Sequence, residues 1–215
     1  MRSGVGAGRF AGEETVRLGL AFYMVVLALS VTSVVGVDAD AHEVHQKTVE
    51  RREVQIAIDD FTLVDQNSRE LKFRQLAGRV VVVAFAYTTC PDFCPLITAA
   101  LRQVQSGLTQ EESKHVYLLT ITTDPEIDSP KVLAGYGNRY GADFTNWSFL
   151  SGDQAALQKV WKNFGVGVKR KARGLVDHTP LTAVLDRQGK MRVAYVGPAP
   201  DAKVVLRDVR GLLAH

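Results

Sequence analysis

Cysteine is scarce in this chain: two residues out of 215, both inside Cys90-Pro91-Asp92-Phe93-Cys94-Pro95. A bridge across so short a loop adds little stability, so a disulfide-stapled scaffold is excluded. Structural zinc usually takes four protein ligands, and only five histidines supplement the two sulfurs, which argues against such a site. An excess of charge of one sign is also lacking. Lys and Arg number 26 against 23 Asp and Glu, and no basic stripe is interleaved with aromatics, so no nucleic-acid partner is implied. The chain has no internal repeat, no Gly-rich phosphate loop and no low-complexity tract. What remains is an ordinary globular composition, 46% hydrophobic and 23% charged, long enough for one domain and a targeting segment.

The targeting segment is read from Leu18 to Val37, apolar or small throughout, with Arg2, Arg9 and Arg17 before it and Asp38 and Asp40 after it. As a helix, a run of that length spans roughly 30 Å, the thickness of a bilayer's hydrocarbon core. The charge asymmetry predicts residues 1–17 in the cytoplasm and everything after residue 37 outside it. A cleaved signal peptide is the rival, because Ala39-Asp40-Ala41 resembles a small-x-small cleavage site. The run exceeds a usual signal core, which favours an uncleaved membrane anchor. Residues 38–53 then form a polar linker and 54–215 the exported domain, on the periplasmic side of a bacterial membrane.

Alternation over Val54 to Ile58 and Phe61 to Val64 predicts short strands, with Asp65 to Ser68 as a turn and Glu70 to Phe73 returning as a hairpin. Val80 to Tyr87 is nearly all apolar, as befits a central strand covered on both faces. A helix follows from Phe93 to Val104 with Leu96, Ala100, Leu101 and Val104 on its inner face. Val116 to Ile121 is the next buried strand, and His115 begins it. Ser129 and Pro130 open a helix toward Tyr140, Trp147 to Leu150 is a strand, and Asp153 caps a helix carrying Leu157, Val160, Trp161 and Phe164. Leu181 to Leu185 and Arg192 to Val196 flank a turn, and Asp201 opens a terminal helix. Strands alternating with helices and ending in a hairpin plus helix give an α/β fold, a central sheet flanked by helices.

A buried strand that delivers a thiol pair to the start of a helix makes a reactive site. Unpaired N–H groups and the helix dipole favour thiolate there. The four-residue spacing predicts both sulfurs on one helix face, able to share a metal or close a disulfide. Two buried structural cysteines are the plain alternative. Outside the cytoplasm a close dithiol tends to oxidise unless a reductant or metal holds it, so the pair reads as redox-active or metal-binding.

Three segments in order resemble the Sco/SenC family of copper-binding proteins that help assemble cytochrome c oxidase. They are Val83 to Pro95 with its Cys-x-x-x-Cys, Thr123-Asp124-Pro125-Glu126-Ile127-Asp128-Ser129-Pro130, and Val176-Asp177-His178-Thr179-Pro180. The resemblance covers roughly residues 54–213 and includes an N-terminal membrane segment. It implies a thioredoxin-like fold, copper as Cu(I) or Cu(II), and Cys90, Cys94 and His178 as its ligands. Soft thiolates suit Cu(I), and adding an imidazole suits Cu(II) as well. His178 is expected in a polar loop before a strand, with Asp177 orienting its ring, and Thr179-Pro180 where such folds often carry a cis proline. Asp124 and Asp128 are read either as part of the copper site or a docking edge, or as a turn and a cap.

The implied partners are the copper-receiving subunit of the oxidase and a copper donor or thiol reductant. In one place the chain departs from the family pattern, with Thr89 where many members carry His. Two functions remain open. One is a copper metallochaperone for the dinuclear copper site. The alternative is a membrane-anchored thiol–disulfide oxidoreductase that reduces the acceptor cysteines through Cys90 and Cys94. A peroxidase of the peroxiredoxin type lacks its Thr-x-x-Cys pocket.

Overall fold

A computed structural model describes residues 48–214; the proposed cytoplasmic segment, membrane segment and most of the linker lie outside the described residues. Among the described residues no helix is long and apolar enough to cross a membrane. The core is a six-stranded sheet in the order β1-β10-β9-β4-β5-β6. Its strands are β1 (Glu50–Ala57), β4 (Val80–Ala86), β5 (Val116–Thr122), β6 (Trp147–Leu150), β9 (Leu181–Leu185) and β10 (Lys190–Val196). β4, β5 and β6 run parallel, and β9, β10 and β1 are added antiparallel. β1 begins at Glu50, inside the stretch read as linker, because Glu50 to Glu53 pair with Val196 to Val193 of β10 while their exposed, charged side chains carry no apolar signal.

β4 explains why the sheet is covered on both faces. Every residue of Val80–Ala86 is buried, and period-2 geometry splits them. Val81, Val83 and Phe85 enter one apolar layer, with the hairpin of β2 (Thr62–Val64) and β3 (Glu70–Lys72) and helix α4 (Gln154–Asn163). Val80, Val82 and Ala84 enter the other, under α1 (Cys94–Gly107), α3 (Pro130–Arg139) and α5 (Ala202–Leu213). Gly137 in α3 has a packing cause: a Cβ there would meet the Phe144 ring at 2.7 Å.

Several local expectations change. The short helix α2 (Gln110–His115) was not foreseen, and His115 ends it rather than beginning a strand. A capping box between Thr109 and Glu112 starts it, a signal present in the sequence. In α1 the inner face is Ile97, Leu101 and Val104, whereas Leu96 is 54% exposed. Ala100, Leu101 and Val104 are buried as read, and Ile97 rather than Leu96 completes their face, while the helix begins at Cys94, one residue later than read.

A small ribbon of β7 (Val168–Arg170) and β8 (Val176–His178) was also missed. It stands apart from the main sheet, with Val168 opposite His178 and Arg170 opposite Val176. His178 therefore ends a strand rather than lying in a polar loop. The charged run Lys169-Arg170-Lys171 hid the pairing. Among the described residues no peptide bond is cis, so Thr179–Pro180 is trans.

The contrast between Leu101 and Leu96 gives a stability test. Leu101→Ala is expected to cost about 2–5 kcal/mol in chemical denaturation. Leu96→Ala should stay within about 0.5 kcal/mol. Equal losses at both positions would contradict this placement of the helix.

Candidate functional site

β4 ends at Ala86, and the chain turns through Thr88 to Phe93 before α1 begins. Cys94 is the first helical residue and Cys90 lies in the loop, so the two sulfurs do not share a helix face as the spacing suggested. The loop is tied down from behind. Asp128, wholly buried, accepts from the Thr88 N–H at 3.2 Å, from the Thr88 hydroxyl, and from the Thr122 hydroxyl at 2.6 Å. Burial raises its pKa, and the bonds from Thr122 and Thr88 oppose that rise. Cys94 is anchored separately: Thr98 Oγ1 donates to its carbonyl at 2.9 Å and lies 2.9 Å from the Tyr136 hydroxyl on α3.

The two thiols are inequivalent. Cys94 is 1% exposed, Cys90 is half-buried, and neither is in a disulfide. Cys90 is pulled down to about 5, first by its hydrogen bond with Cys94, then by backbone N–H groups of Asp92 and Cys94 and by the Tyr87 hydroxyl, against burial. Cys94 is pushed up, by sharing its proton with Cys90 and by burial. At neutral pH the pair therefore holds one proton: Cys90 is a thiolate and Cys94 donates to it. Tyr87 was read only as the end of a strand. Its hydroxyl also accepts from the Val176 N–H at 3.4 Å, so it touches both the cysteine loop and the ribbon. A tyrosine closing an apolar run beside a thiol was the available signal.

His178 brings its Nε2 to 3.7 Å from Cys94 Sγ. Its Nδ1 lies 3.1 Å from the Thr179 carbonyl, which can only accept, so Nδ1 carries the proton and Nε2 offers a lone pair to the sulfur side. Burial lowers the His178 pKa, opposed by the Thr179 carbonyl and the charges of Cys90 and Asp177, so the ring is neutral at neutral pH. Asp177 pairs with Lys171 at 2.8 Å and acts on the ring through charge, while the Nδ1 bond goes to Thr179. Asp124 and Asp128 are both buried and line no part of this pocket. Asp124 pairs with Arg170 at 2.6 Å, and its carbonyl accepts from Ile127 and Asp128 in a turn. Thr89 is exposed.

Cys90, Cys94 and His178 share a cavity of ≈ 360 Å³ with Tyr87, Phe93 and Leu175. Larger cavities of ≈ 600 and ≈ 650 Å³ lie elsewhere, lined by surface side chains without a soft donor. An ion bound to sulfur at about 2.3 Å and to imidazole at about 2.0 Å, with roughly 120° between them, separates the donors by about 3.7 Å. The Cys94–His178 pair therefore has the spacing of two ligands on one ion. Among the described residues no three His, Cys, Asp or Glu donors are grouped to hold a metal as they stand.

The unequal thiols predict the chemistry of alkylation. The rate at Cys90 should rise as pH passes through about 5 and level off well below the ordinary thiol range, with one modification per chain. Cys94→Ala removes the chief cause of the lowered pKa and should move that midpoint upward. A single midpoint near 9 in the unaltered chain would contradict the shared proton.

Comparison with known proteins extends these observations. A SCO1/SenC family lipoprotein from Bacillus anthracis superposes with a TM-score of 0.69 at 25% identity, covering 75% of this chain and 98% of its own. Bradyrhizobium japonicum ScoI, solved with copper bound, gives 0.62 at 26% identity over 73% of this chain and 99% of its own. BsSco, a member of the Sco family of cytochrome c oxidase assembly proteins in which a disulfide switch was identified, gives 0.65 at 27% identity over 75% and 94%. The central sheet with flanking helices is accordingly thioredoxin-like. With the SCO1/SenC family model matching residues 49–214, the chain belongs to the SCO1/SenC family.

Proposed function

We propose that this chain is a copper carrier outside the cytoplasm, holding copper on Cys90, Cys94 and His178 and passing it to the copper-receiving subunit of cytochrome c oxidase. The observation that carries the reading is the Cys94 Sγ to His178 Nε2 separation of 3.7 Å, with the imidazole neutral and its Nε2 free of the proton. Two sulfurs and an imidazole suit both oxidation states of copper. A relative of 26% identity was solved with copper bound, and a relative of 27% belongs to a family of cytochrome c oxidase assembly proteins. The apolar run at Leu18 to Val37 and a lipoprotein relative support a domain anchored at the outer side of a membrane. Transfer proceeds by ligand exchange, in which an acceptor thiolate enters the low-coordinate centre before a donor leaves.

A second reading, thiol–disulfide exchange with the same acceptor, draws on the shared proton and on the disulfide switch identified in BsSco. The Cys90 thiolate attacks one sulfur of the acceptor disulfide and displaces the other as thiolate, forming a mixed disulfide. Cys94 gives its proton to the displaced thiolate and attacks Cys90 Sγ, releasing the second acceptor sulfur as a thiolate that takes its proton from water. Two electrons pass to the acceptor, which leaves as a dithiol, and Cys90–Cys94 becomes the disulfide. Buried Cys94 suits the resolving role. A chain that has reduced its acceptor has no thiolates left for copper, so loading then requires a fresh reductant or a second chain.

The reduced full-length chain should bind about one copper, and Cys90→Ser or Cys94→Ser should abolish it. His178→Ala should weaken Cu(II) binding at least about tenfold, ~1.4 kcal/mol, while leaving the rate with a small disulfide unchanged. Absence of copper from the fully reduced wild type would remove the carrier role and leave the exchange reaction.

A further inference from the structure

We propose that Arg170, gripping Asp124 and Glu126, is a positioning residue that latches the β7–β8 ribbon to the sheet and so governs whether His178 stands beside the cysteines. The inference rests on the copper reading of this site and adds a part to it. The ribbon pairs only with itself, and a lone two-stranded hairpin is marginal in water. Its position therefore depends on what it docks against. Val176 packs with Ala86, Tyr87 and Cys94, and its N–H reaches the Tyr87 hydroxyl. On the facing strand, Arg170 Nη2 donates to Asp124 Oδ1 at 2.6 Å and lies 2.9 Å from Glu126 Oε2. The ribbon's other ion pair, Lys171–Asp177, is internal to it and exposed, so it cannot fix the ribbon to the body.

The Asp124 end is rigid. The residue is 2% exposed, and its Oδ2 is buried without a hydrogen-bond partner, so the guanidinium is the charge that makes a buried carboxylate tolerable there. Next to it, the Thr123 N–H donates to the Ala86 carbonyl at 3.0 Å, at the end of the strand that leads to Cys90. The connection thus runs from the cysteine strand, through Asp124, into the ribbon that ends in His178. With the latch closed, copper meets two sulfurs and the imidazole; with it open, only the two sulfurs. Cu(I) tolerates two sulfurs, whereas Cu(II) calls for the nitrogen, so the latch bears mainly on Cu(II).

The test uses the full-length chain and its Arg170→Ala, Arg170→Lys and Glu126→Gln variants. In the copper-free Arg170→Ala protein, amide exchange over residues 167–179 should accelerate while β4 and β5 stay protected. Its Cu(II) affinity should fall about 10–100-fold, the loss typical of a ligand's supporting contact. The imidazole nitrogen signature in the Cu(II) EPR spectrum should weaken, Cu(I) affinity should change less, and Arg170→Lys should restore part of each. Should Arg170→Ala fail to fold, Glu126→Gln, at an exposed position, should show the same order of effects at smaller size. Unchanged ribbon exchange, or Cu(II) binding with full nitrogen signature, overturns the latch. His178→Ala that retains all Cu(II) binding overturns the copper reading instead, so the two failures are distinguishable.

Discussion

The whole site depends on one contact across 84 positions of chain, between Cys94 Sγ and His178 Nε2. No regular element contains both residues. Cys94 is held by the first turn of a helix, by Pro95 behind it and by Thr98 bound to its carbonyl. His178 sits at the end of a ribbon outside the main sheet. Half of the contact is therefore stiff and half adjustable. The ring's own chemistry is settled before any metal arrives. Burial keeps it neutral, and the Thr179 carbonyl takes the Nδ1 proton, so the nitrogen facing sulfur is the one with a lone pair.

The segment from Thr123 to Ser129 organises both halves at once. The Asp128 N–H donates to the Asp124 carbonyl at 2.9 Å, so one tight turn separates the two carboxylates. Asp128 reaches back to Thr88, two residues ahead of Cys90, and Asp124 reaches Arg170 on the ribbon. Burying two carboxylates is costly unless each is compensated. Here one is met by Thr88 and Thr122 and the other by a guanidinium; Thr88 belongs to the cysteine loop and Arg170 to the ribbon. Spacing the acids by four residues is what lets one short loop bind both. Neither carboxylate needs to touch the pocket to fix its shape.

Much of the fold was legible in the sequence because burial has a period. The all-apolar β4, the β5 run, the capped helices at Ser129 and Asp153, and the turn at Asp186 to Gly189 all follow from patterns of two or about four residues. The cysteine motif could be found as a strand-to-helix junction. The β7–β8 ribbon could not, because its strands are three residues each and β7 carries Lys169 and Arg170 where an apolar pattern would have marked it, leaving Val176 alone as a buried marker. For the same reason His178 was placed in a loop. Tyr87 reads as strand because it closes the apolar run from Val80, although its hydroxyl serves the thiolate. Asp124 and Asp128 were legible as a pair, and the turn at Asp124 with them, but not the bonds to Thr88 and Arg170, which lie 40 and 46 residues away along the chain.

For a carrier of the proposed kind, the unequal supports impose an order on ligand departure. Cys94 would be the hardest donor to release, because the residue is 1% exposed and the helix start would have to shift. Cys90 lies in a loop and is half-buried, but the loop is braced at Thr88 by Asp128. His178 is neutral, so replacing it with an incoming thiolate separates no opposite charges from the ion. Its ribbon can also tilt without breaking any bond of the six-stranded sheet. In such a carrier the imidazole would leave first, then Cys90, then Cys94. That order keeps copper on sulfur throughout, and Cu(I) binds sulfur best.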